Sequence, residues 1–389
     1  MKKTHLTALS IALLATGTVA HAQSSVTLYG TIDTSITYVN NASGSKNLWA
    51  LGNSSAGNLS GSRWGVKGAE DLGGGLKAIF QLENGFNPST GAAGQGGLMF
   101  GRQAFVGLTS DQFGSVTLGR QYDPLVDMVQ GITADNYFGS VFATAGDVDN
   151  YDNSFRANNA IKYVSPVFYG LQAEALYSFG GVAGSTGSEQ TYSAALSYTA
   201  GQLSIAGGYF YAANTAASAG ARDADDGWSG TSGNTFNGAI NEGYQTAHSL
   251  QIARIAAQYV AGSFTFGAGY SNAQYASDGA SNYTGTEKYN TAQGFVNYQI
   301  NPALLVGFGY SYTHASGNTS ANYHQFSLGS DYNLSKRTDV YLTAAYQHAS
   351  GTTRNEDGTT EAAQASIGSY GYSGTASQTM VNVGIRHKF

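Results

Sequence analysis

The last residues of the chain, 379–389, read TMVNVGIRHKF. Apolar side chains share one parity of this stretch: Val381, Val383, Ile385 and, after His387, Phe389. The positions between them include the polar residues Asn382, Arg386 and Lys388. Successive side chains of a β-strand point to opposite faces, so the alternation predicts a strand with one apolar and one polar face. Chain ends are usually polar and frayed, whereas this one is predicted to be held in a sheet up to its final aromatic ring.

The same two-residue period recurs through the chain. In residues 24–39, SSVTLYGTIDTSITYV, one face is apolar: Val26, Leu28, Ile32, Ile36 and Tyr38. The opposite face carries Thr27, Asp33, Ser35 and Thr37. About ten residues per segment is the length that a tilted strand needs to cross a bilayer. The alternation is weakest near residues 190–212.

Two kinds of connection separate these segments. The short kind is built from Gly, Pro, Asn, Asp and Ser, as tight turns are, and seven such turns lie within 69–78, 109–117, 165–173, 198–204, 259–265, 299–306 and 333–340. The long kind lies at 41–56, 87–100, 123–156, 181–189, 213–246, 276–285, 315–321 and 350–375. Seven turns close fourteen strands, and the first and last segments bring the predicted total to sixteen. Both chain ends then lie on the short-turn side, where the last strand can pair with the first and close the sheet.

The compartment is predicted from the first residues, MKKTHLTALSIALLATGTVAHA. Lys2 and Lys3 precede an apolar stretch over 6–14, and a small-x-small site ends at Ala22. This order is typical of a secretory signal peptide, and the alternative is an amphipathic first helix of a cytosolic protein. We therefore expect residues 1–22 to be removed and residues 23–389 to form a single barrel domain.

Composition supports an all-β membrane protein. The chain has no Cys, and charged residues make up 11% of it, compared with roughly 25% in ordinary soluble domains. Beyond residue 22, no apolar run approaches the roughly 20 residues of a spanning helix. The net charge is −6, and it becomes −8 when Lys2 and Lys3 are removed without any acidic residue, which argues against a nucleic-acid partner. We predict a 16-stranded antiparallel transmembrane β-barrel in the outer membrane, with long extracellular loops.

A barrel of 16–18 strands leaves an aqueous channel unless something fills it. The third long connection, 123–156, is more apolar than the others and contains Met128, Ile132, Tyr137, Phe138, Val141 and Phe142. Loops that face water rarely carry so many apolar side chains. We predict that this loop folds inward and narrows the lumen; the alternative is a surface loop with a helical turn.

Seven stretches resemble the general porins of β- and related proteobacteria: SSVTLYGTIDT (24–34), SRWGVKGAEDLGGGLKAIFQLE (62–83), GRQAFVGL (101–108), FGSVTLGRQYDP (113–124), RANNAIKYVSP (156–166), NLSKRTDVYL (333–342) and VGIRHKF (383–389). The resemblance runs from Gln23 to Phe389 and is weaker in the long loops. It implies a homotrimer of barrels, a third loop folded into each pore, and passive passage of small hydrophilic solutes and ions. It also implies contact with outer-membrane lipid and lipopolysaccharide, and recognition of Phe389 by the barrel-insertion machinery.

Selectivity in pores comes from width and from rings of charged side chains. By strand parity five basic residues point inward and are candidates for the pore constriction: Arg63, Lys67, Lys77, Arg156 and Lys162. The resemblance implies an arginine cluster on one wall, in which Arg63 and Arg156 match two members. The third member falls at Gly101, one residue before Arg102. Parity with Val106 and Leu108 predicts that Arg102 faces outward, into a subunit contact.

Three carboxylates of the third loop are candidates for a negative edge opposite these bases: Asp123, Asp127 and Asp135. Facing charges of opposite sign would create a transverse field that orients permeating solutes. The alternative for each of these charges is an ordinary position on a wet lumen wall.

Other functions find little support in the sequence. There is no catalytic motif of the common hydrolase, metalloprotease or phosphate-binding kinds, so we expect no enzyme and no cofactor. Weak binding of divalent cations is a candidate role for the acidic stretch ARDADDGW, 221–228, and a solvated loop is the alternative. The five histidines beyond residue 22 have no metal-ligand spacing. The rival function is a surface adhesin or receptor that acts through the long loops.

Overall fold

The computed structural model of the chain describes residues 25–52, 57–214, 238–369 and 371–389. Most of these residues lie in β-strands, and all of the strands belong to one antiparallel sheet. In chain order the strands are β1 Ser25–Ser43, β2 Lys46–Gly52, β3 Arg63–Gly73, β4 Leu76–Gly85, β5 Gln103–Ser110, β6 Gly114–Gln121, β7 Ala157–Val164, β8 Leu171–Ser178, β9 Thr191–Ala200, β10 Leu203–Ala213, β11 Ser249–Ala261, β12 Phe264–Ala276, β13 Thr286–Asn301, β14 Leu304–Ser316, β15 Ser320–Asn333, β16 Thr338–Arg354, β17 Thr360–Ala362 and β18 Ser377–Lys388.

These strands build a closed barrel with sixteen strand positions around its wall, as predicted. β2 and β3 both pair with β1, one along each half of it, and therefore occupy a single strand position of the barrel. β17 pairs with the end of β16, and the two form a short hairpin beyond the barrel wall. β18 pairs with β16 on one side and with β1 on the other, which closes the sheet. No edge of the wall is then left with unpaired backbone groups facing hydrocarbon.

The alternation of faces is confirmed along β1. Leu28 and Ile36 are 62% and 58% exposed on the outer surface, whereas Asp33 and Ser35 on the lumen side are 0% and 3% exposed. The wall thus has an apolar outer face, where lipid would cover it, and a polar inner face.

The closing seam ends on Phe389. The Gly30 amide donates to the Phe389 carbonyl at 3.1 Å, and the Phe389 amide donates to the Gly30 carbonyl at 3.0 Å. The ring lies on the outer face against Gly30, where an added Cβ would come within 2.3 Å of the ring. Gly30 therefore makes the room in which the terminal ring covers the seam.

All seven short turns are confirmed, but several long connections are shorter than predicted. β1 continues to Ser43 and turns directly into β2, so most of 41–52 is strand. Only residues 317–319 separate β14 from β15, and β16 runs on to Arg354. Pairing continues past the apolar band because polar residues on both faces of a strand are acceptable once both faces meet water.

Helical structure is confined to short turns in the described residues: Gln95–Gly97, Leu125–Val129, Gln130–Ile132, Asp135–Phe138, Gly139–Phe142, Ala145–Asp147 and Glu242–Tyr244. Among these residues no helix is long and apolar enough to cross a membrane. The predicted signal peptide, 1–22, and the acidic stretch, 221–228, lie outside the described residues. Both assignments stay predictions.

The seam yields the first test. We expect Gly30→Val to destabilise the barrel by about 1–3 kcal/mol, because the new side chain overlaps the Phe389 ring and the Arg63 carbonyl. Thermal unfolding in detergent, followed by circular dichroism, measures the effect. Gly294→Val is the matched control, since Gly294 also faces outward and its added Cβ would meet its nearest neighbour at 3.6 Å. Equal melting temperatures for the two variants would contradict the role assigned to Gly30.

Candidate functional site

The third long connection, predicted at 123–156, spans residues 122–156 between β6 and β7 and runs inside the barrel. Its apolar side chains are buried: Leu125, Val129, Phe138 and Val141 are all 0% exposed. Polar side chains of the wall hold its backbone, since the Gln325 amide donates to the carbonyls of Val141 and Ala143 at 3.0 Å each. These contacts fix the loop across the lumen.

Glycines of β14 and β15 provide sockets for two rings of this loop. An added Cβ at Gly307 or Gly329 would lie 2.2 or 2.3 Å from the Phe138 ring, and one at Gly309 would lie 2.8 Å from Phe142. The two rings stack with their centroids 5.0 Å apart. The side-chain-free positions of the wall thus determine where the loop sits.

Two further connections pack on the third loop from the extracellular side. Ile240 is 1% exposed and lies against Gly146, and its carbonyl accepts a hydrogen bond from the Tyr289 hydroxyl at 2.9 Å. In the last long connection the Ser366 carbonyl accepts from the Gly146 amide at 3.3 Å. The sequence singled out only the third loop, because these short buried pieces lie within long polar stretches without apolar periodicity.

Three arginines line one side of a water-accessible cavity of about 510 Å³ between the wall and the third loop. They are Arg63 in β3, Arg102 just before β5 and Arg156 just before β7. The Tyr122 ring lies between two of them, 5.7 Å from the Arg102 guanidinium carbon and 5.5 Å from that of Arg156. We call these three residues the arginine wall.

The prediction that Arg102 faces outward was wrong. Arg102 precedes the first residue of β5, so the alternation of that strand does not extend to it. Its Nε instead donates to a Glu83 carboxylate oxygen at 2.7 Å inside the lumen. Arg102 supplies the third basic position that sequence matching placed at Gly101.

Glu83 organises the arginine wall and was missed in the sequence. Its carboxylate accepts hydrogen bonds from the hydroxyls of Tyr29 at 2.8 Å and Tyr122 at 3.2 Å, besides the bond from Arg102. Arg63 Nε lies 3.8 Å from the same group. Its inward parity with Lys77 and Gln81 was the available signal in the sequence.

Arg120 supports the arginine wall from behind. It is 8% exposed, and it donates to the Gly101 carbonyl at 2.8 Å and to the Asn158 side-chain oxygen at 2.6 Å. These bonds tie together the backbone segments that carry Arg102 and Arg156.

The acidic edge is formed by Asp127, Asp135 and Asp152, which line the same cavity. Asp135 accepts hydrogen bonds from Gln130 at 2.7 Å and from Thr133 at 2.6 Å. Burial nevertheless raises the pKa of the Asp135 carboxyl to about 7. Burial, and then the neighbouring Asp147, raise the pKa of Asp152 well above its ordinary value.

Asp123, the remaining predicted acid, does not line the cavity. It is fully buried within the loop, where it accepts hydrogen bonds from the Leu125 amide at 2.8 Å and the Asn150 side chain at 2.9 Å. Its role here is to fold the loop. Burial raises its pKa to about 6.

The three predicted lysines do not line this cavity. Lys162 is ion-paired with Asp127 and lies 3.2 Å from Glu174, which offsets its charge. Lys67 is inward, 5.2 Å from the centre of the Tyr29 ring, and Lys77 is the second residue of β4, beside a short turn. Two bases of β18 line the cavity instead: Arg386, paired with Asp339 at 3.1 Å, and Lys388.

Comparison with known proteins gives the family. A model described as Gram-negative porin matches residues 7–352. The chain belongs to the Gram-negative porin family. Outer membrane porin protein 32 of Delftia acidovorans is 33% identical over 98% of this chain and 99% of its own. An outer membrane porin protein of Bordetella pertussis is 39% identical, over 46% of this chain and 48% of that relative.

Solved porin structures share the fold. An anion-selective porin from Comamonas acidovorans superposes with a TM-score of 0.72 at 27% identity, covering 94% of this chain and 100% of that one. A Vibrio cholerae outer-membrane protein in its trimer form gives a TM-score of 0.63 at 16% identity, which shows the fold alone. This porin is therefore a multi-pass β-barrel of the outer membrane.

The glycine sockets generate a second test. Phe138→Ala should cost about 3–5 kcal/mol of the loop's packing energy and free the loop from the wall. We expect larger single-channel conductance and more frequent current fluctuations in planar bilayers. Phe308→Ala on the outer face of β14 is the control and should leave conductance unchanged. An unaltered conductance in Phe138→Ala would show that this ring does not position the loop.

Proposed function

We propose that this porin is a passive diffusion channel for small hydrophilic solutes and ions, with a preference for anions at its constriction. The observation that carries this proposal is the arginine wall, which concentrates three guanidinium groups on one side of the cavity. A relative of known structure is described as anion-selective, which supports the same assignment.

The facing acids offset this positive charge only in part. Guanidinium groups keep their protons at any physiological pH. Burial raises the pKa of Asp135 and Asp152, so these carboxyls carry less than a full negative charge near neutral pH. The cavity therefore favours anions more than a count of its charged residues indicates.

We further propose that three copies assemble as a homotrimer, as the trimer form of the Vibrio cholerae neighbour indicates for that protein. We propose contact with lipopolysaccharide, as the family resemblance implies. We also propose that the insertion machinery recognises Phe389, because its ring stays 43% exposed on the outer face. A channel of this design needs no catalytic group, and we propose no enzymatic role. The porin relatives do not support the adhesin alternative.

Passive diffusion predicts a graded size limit. Liposomes containing the protein should swell in sugars of increasing size at steadily falling rates, without saturation at high sugar concentration. Liposomes that stay impermeable to the smallest sugar would refute the channel. A saturable rate for one sugar would point to a specific transporter instead.

The arginine wall predicts opposite effects of opposite charges. Arg63→Ala, Arg102→Gln and Arg156→Ala should each lower the chloride-to-potassium permeability ratio about threefold, since a unit charge several ångströms away in water contributes ~0.7 kcal/mol. Glu83→Gln should raise the ratio. Reversal potentials under a salt gradient measure both, with Lys77→Gln as the control. A chloride-to-potassium permeability ratio unchanged from wild type in all four variants would show that the arginine wall does not set the selectivity.

Protonation of Asp135 predicts a pH dependence. Because burial raises its pKa to about 7, the side chain loses its charge as the pH falls from 8 to 5, and the preference for anions should rise. Because the pKa of Asp135 is higher in the folded state, protonation of this carboxyl increases the free energy of unfolding at acid pH. This contribution is lost as the pH rises through 7. Asp135→Asn should flatten the change in reversal potential, whereas Asp357→Asn in an outer hairpin should not. A wild-type ratio that is constant over this range would contradict the assignment.

A further inference from the structure

The barrel wall is interrupted beside the middle of β1. On this side of β1, β3 pairs with residues 25–31 and β2 pairs with residues 35–39 and 43, so residues 32–34 are paired with neither strand. The end of the connection between β2 and β3, residues 57–62, lies beside them instead. We call residues 57–62 the inner segment, because its contacts hold it inside the barrel.

Side chains of the inner segment replace the missing strand at Asp33. The Ser62 hydroxyl accepts from the Asp33 amide and donates to the Asp33 carbonyl, both at 2.9 Å. The Asn58 side-chain amide donates to the same carbonyl at 2.7 Å, and the Asn58 side-chain oxygen accepts from the Ser35 hydroxyl at 2.8 Å. Because a buried backbone group needs a partner, these bonds complete the wall and fix the inner segment against it.

The Asp33 carboxylate holds the centre of the inner segment. One of its oxygens accepts from the Ser60 amide at 2.8 Å, and the other accepts from the Tyr341 hydroxyl at 2.6 Å. Asp33 is fully buried, and Tyr341 is buried beside it. This one side chain therefore ties the backbone of the inner segment to both β1 and β16.

The inner segment also packs against the third loop. An added Cβ at Gly139 would lie 2.2 Å from the Asn58 carbonyl oxygen, so the two backbones are in close contact. Leu59 is buried in the same apolar cluster as Phe138 and Val141 of the loop. The inner segment thus lies between the barrel wall and the third loop.

The remaining surface of the inner segment faces the pore. Four of its residues line the same cavity as the arginine wall: Asn58, Leu59, Ser60 and Gly61. Arg63 Nη1 donates to the Gly61 carbonyl at 2.8 Å, a shorter contact than the 3.8 Å between Arg63 Nε and Glu83. The position of Gly61 therefore determines where the Arg63 guanidinium stands in the cavity.

We propose that the inner segment is a second constriction element, and that Asp33 is a positioning residue that sets the location of Arg63 through it. The inner segment narrows the pore from the side of β1, independently of the third loop's own side chains. The role of Asp33 rests on the anion preference proposed above, whereas the narrowing of the pore does not.

A single introduced cysteine tests the narrowing, since the chain has no Cys of its own. Ser60→Cys leaves the backbone bond to Asp33 in place, and the Ser60 hydroxyl itself makes only a long contact of 3.4 Å with Asp33. A bulky neutral methanethiosulfonate reagent on this cysteine should lower single-channel conductance about twofold, because pore width limits passage. Thr359→Cys, exposed in the outer hairpin, is the matched control and should keep its conductance after labelling.

Mass spectrometry measures the labelling of both variants. Labelled Ser60→Cys with unchanged conductance, or a Ser60→Cys that does not react, would overturn the second constriction. An equal loss of conductance in labelled Thr359→Cys would also overturn it, since the effect would then not depend on the inner segment.

Two variants of Asp33 separate its position from its charge. Asp33→Ala and Asp33→Asn both remove one negative charge, which by itself would raise the chloride-to-potassium permeability ratio. Asn keeps an acceptor for the Ser60 amide and a donor for the Tyr341 hydroxyl, whereas Ala keeps neither. We expect the ratio in Asp33→Ala to be about twofold lower than in Asp33→Asn, part of the effect of losing a unit charge, because Arg63 is displaced.

Reversal potentials under a salt gradient measure these ratios, and the Arg63→Ala background shows whether Asp33 acts through Arg63. In that background the two Asp33 variants should have equal ratios. Ser62→Ala changes no charge but removes two bonds to Asp33, so it should also lower the ratio and decides the matter if Asp33→Ala does not fold.

Equal ratios for the two Asp33 variants with Arg63 present, a difference that persists in Arg63→Ala, or a wild-type ratio in Ser62→Ala would overturn the positioning role. A wild-type channel without anion preference would refute the selectivity proposed above and, with it, the role of Asp33. The labelled cysteine would still decide whether the inner segment narrows the pore, so the two failures are distinguishable.

Discussion

Backbone hydrogen bonding in an apolar medium is the constraint on which this structure depends. Inside hydrocarbon an amide or carbonyl without a partner costs several kcal/mol, so a sheet that crosses the membrane must close on itself. The pairing of β1 with β18 meets this requirement, and the reciprocal bonds between Gly30 and Phe389 complete it at the last residue. Closure also fixes the two faces of every strand, because a slip of one residue would turn the polar face to lipid.

Closure leaves a lumen that is too wide to be filled by the wall alone, and the loops define its width. The third loop is fixed by shape at Gly307 and Gly329 and by hydrogen bonds from Gln325. Ile240 and Ser366 then hold it from the extracellular side. Because the loop is packed on both sides, its acidic edge stands at a defined distance from the arginine wall.

The sequence predicted the repeating strands and turns correctly, and it gave wrong orientations for residues that lie outside the strands. The two faces of β1 follow from a strict period of two, and the sixteen strands follow from the seven tight turns that separate the periodic segments. Arg102 was misplaced because it lies just outside β5, where parity no longer applies, and its orientation is set by Glu83 from another strand. Asp123 and Lys162 were predicted at the constriction but do not line the cavity, because Asn150 and Glu174, which contact them, meet them only once the loop and strands are packed together.

The electrostatic asymmetry of the constriction follows from a difference between two side chains under the same burial. A guanidinium keeps its proton even where water is scarce, whereas a carboxyl in the same surroundings takes one up. Arg102 and Arg156 sit beside the Tyr122 ring, and Arg63 and Arg102 share Glu83 as an organising anion, which holds the guanidinium groups in position. Asp135 and Asp152 have pKa values raised by burial under the packed loop. Packing the loop tightly therefore weakens the acidic side of the cavity while leaving the basic side intact, and a lumen with both signs of charge acquires a net attraction for anions.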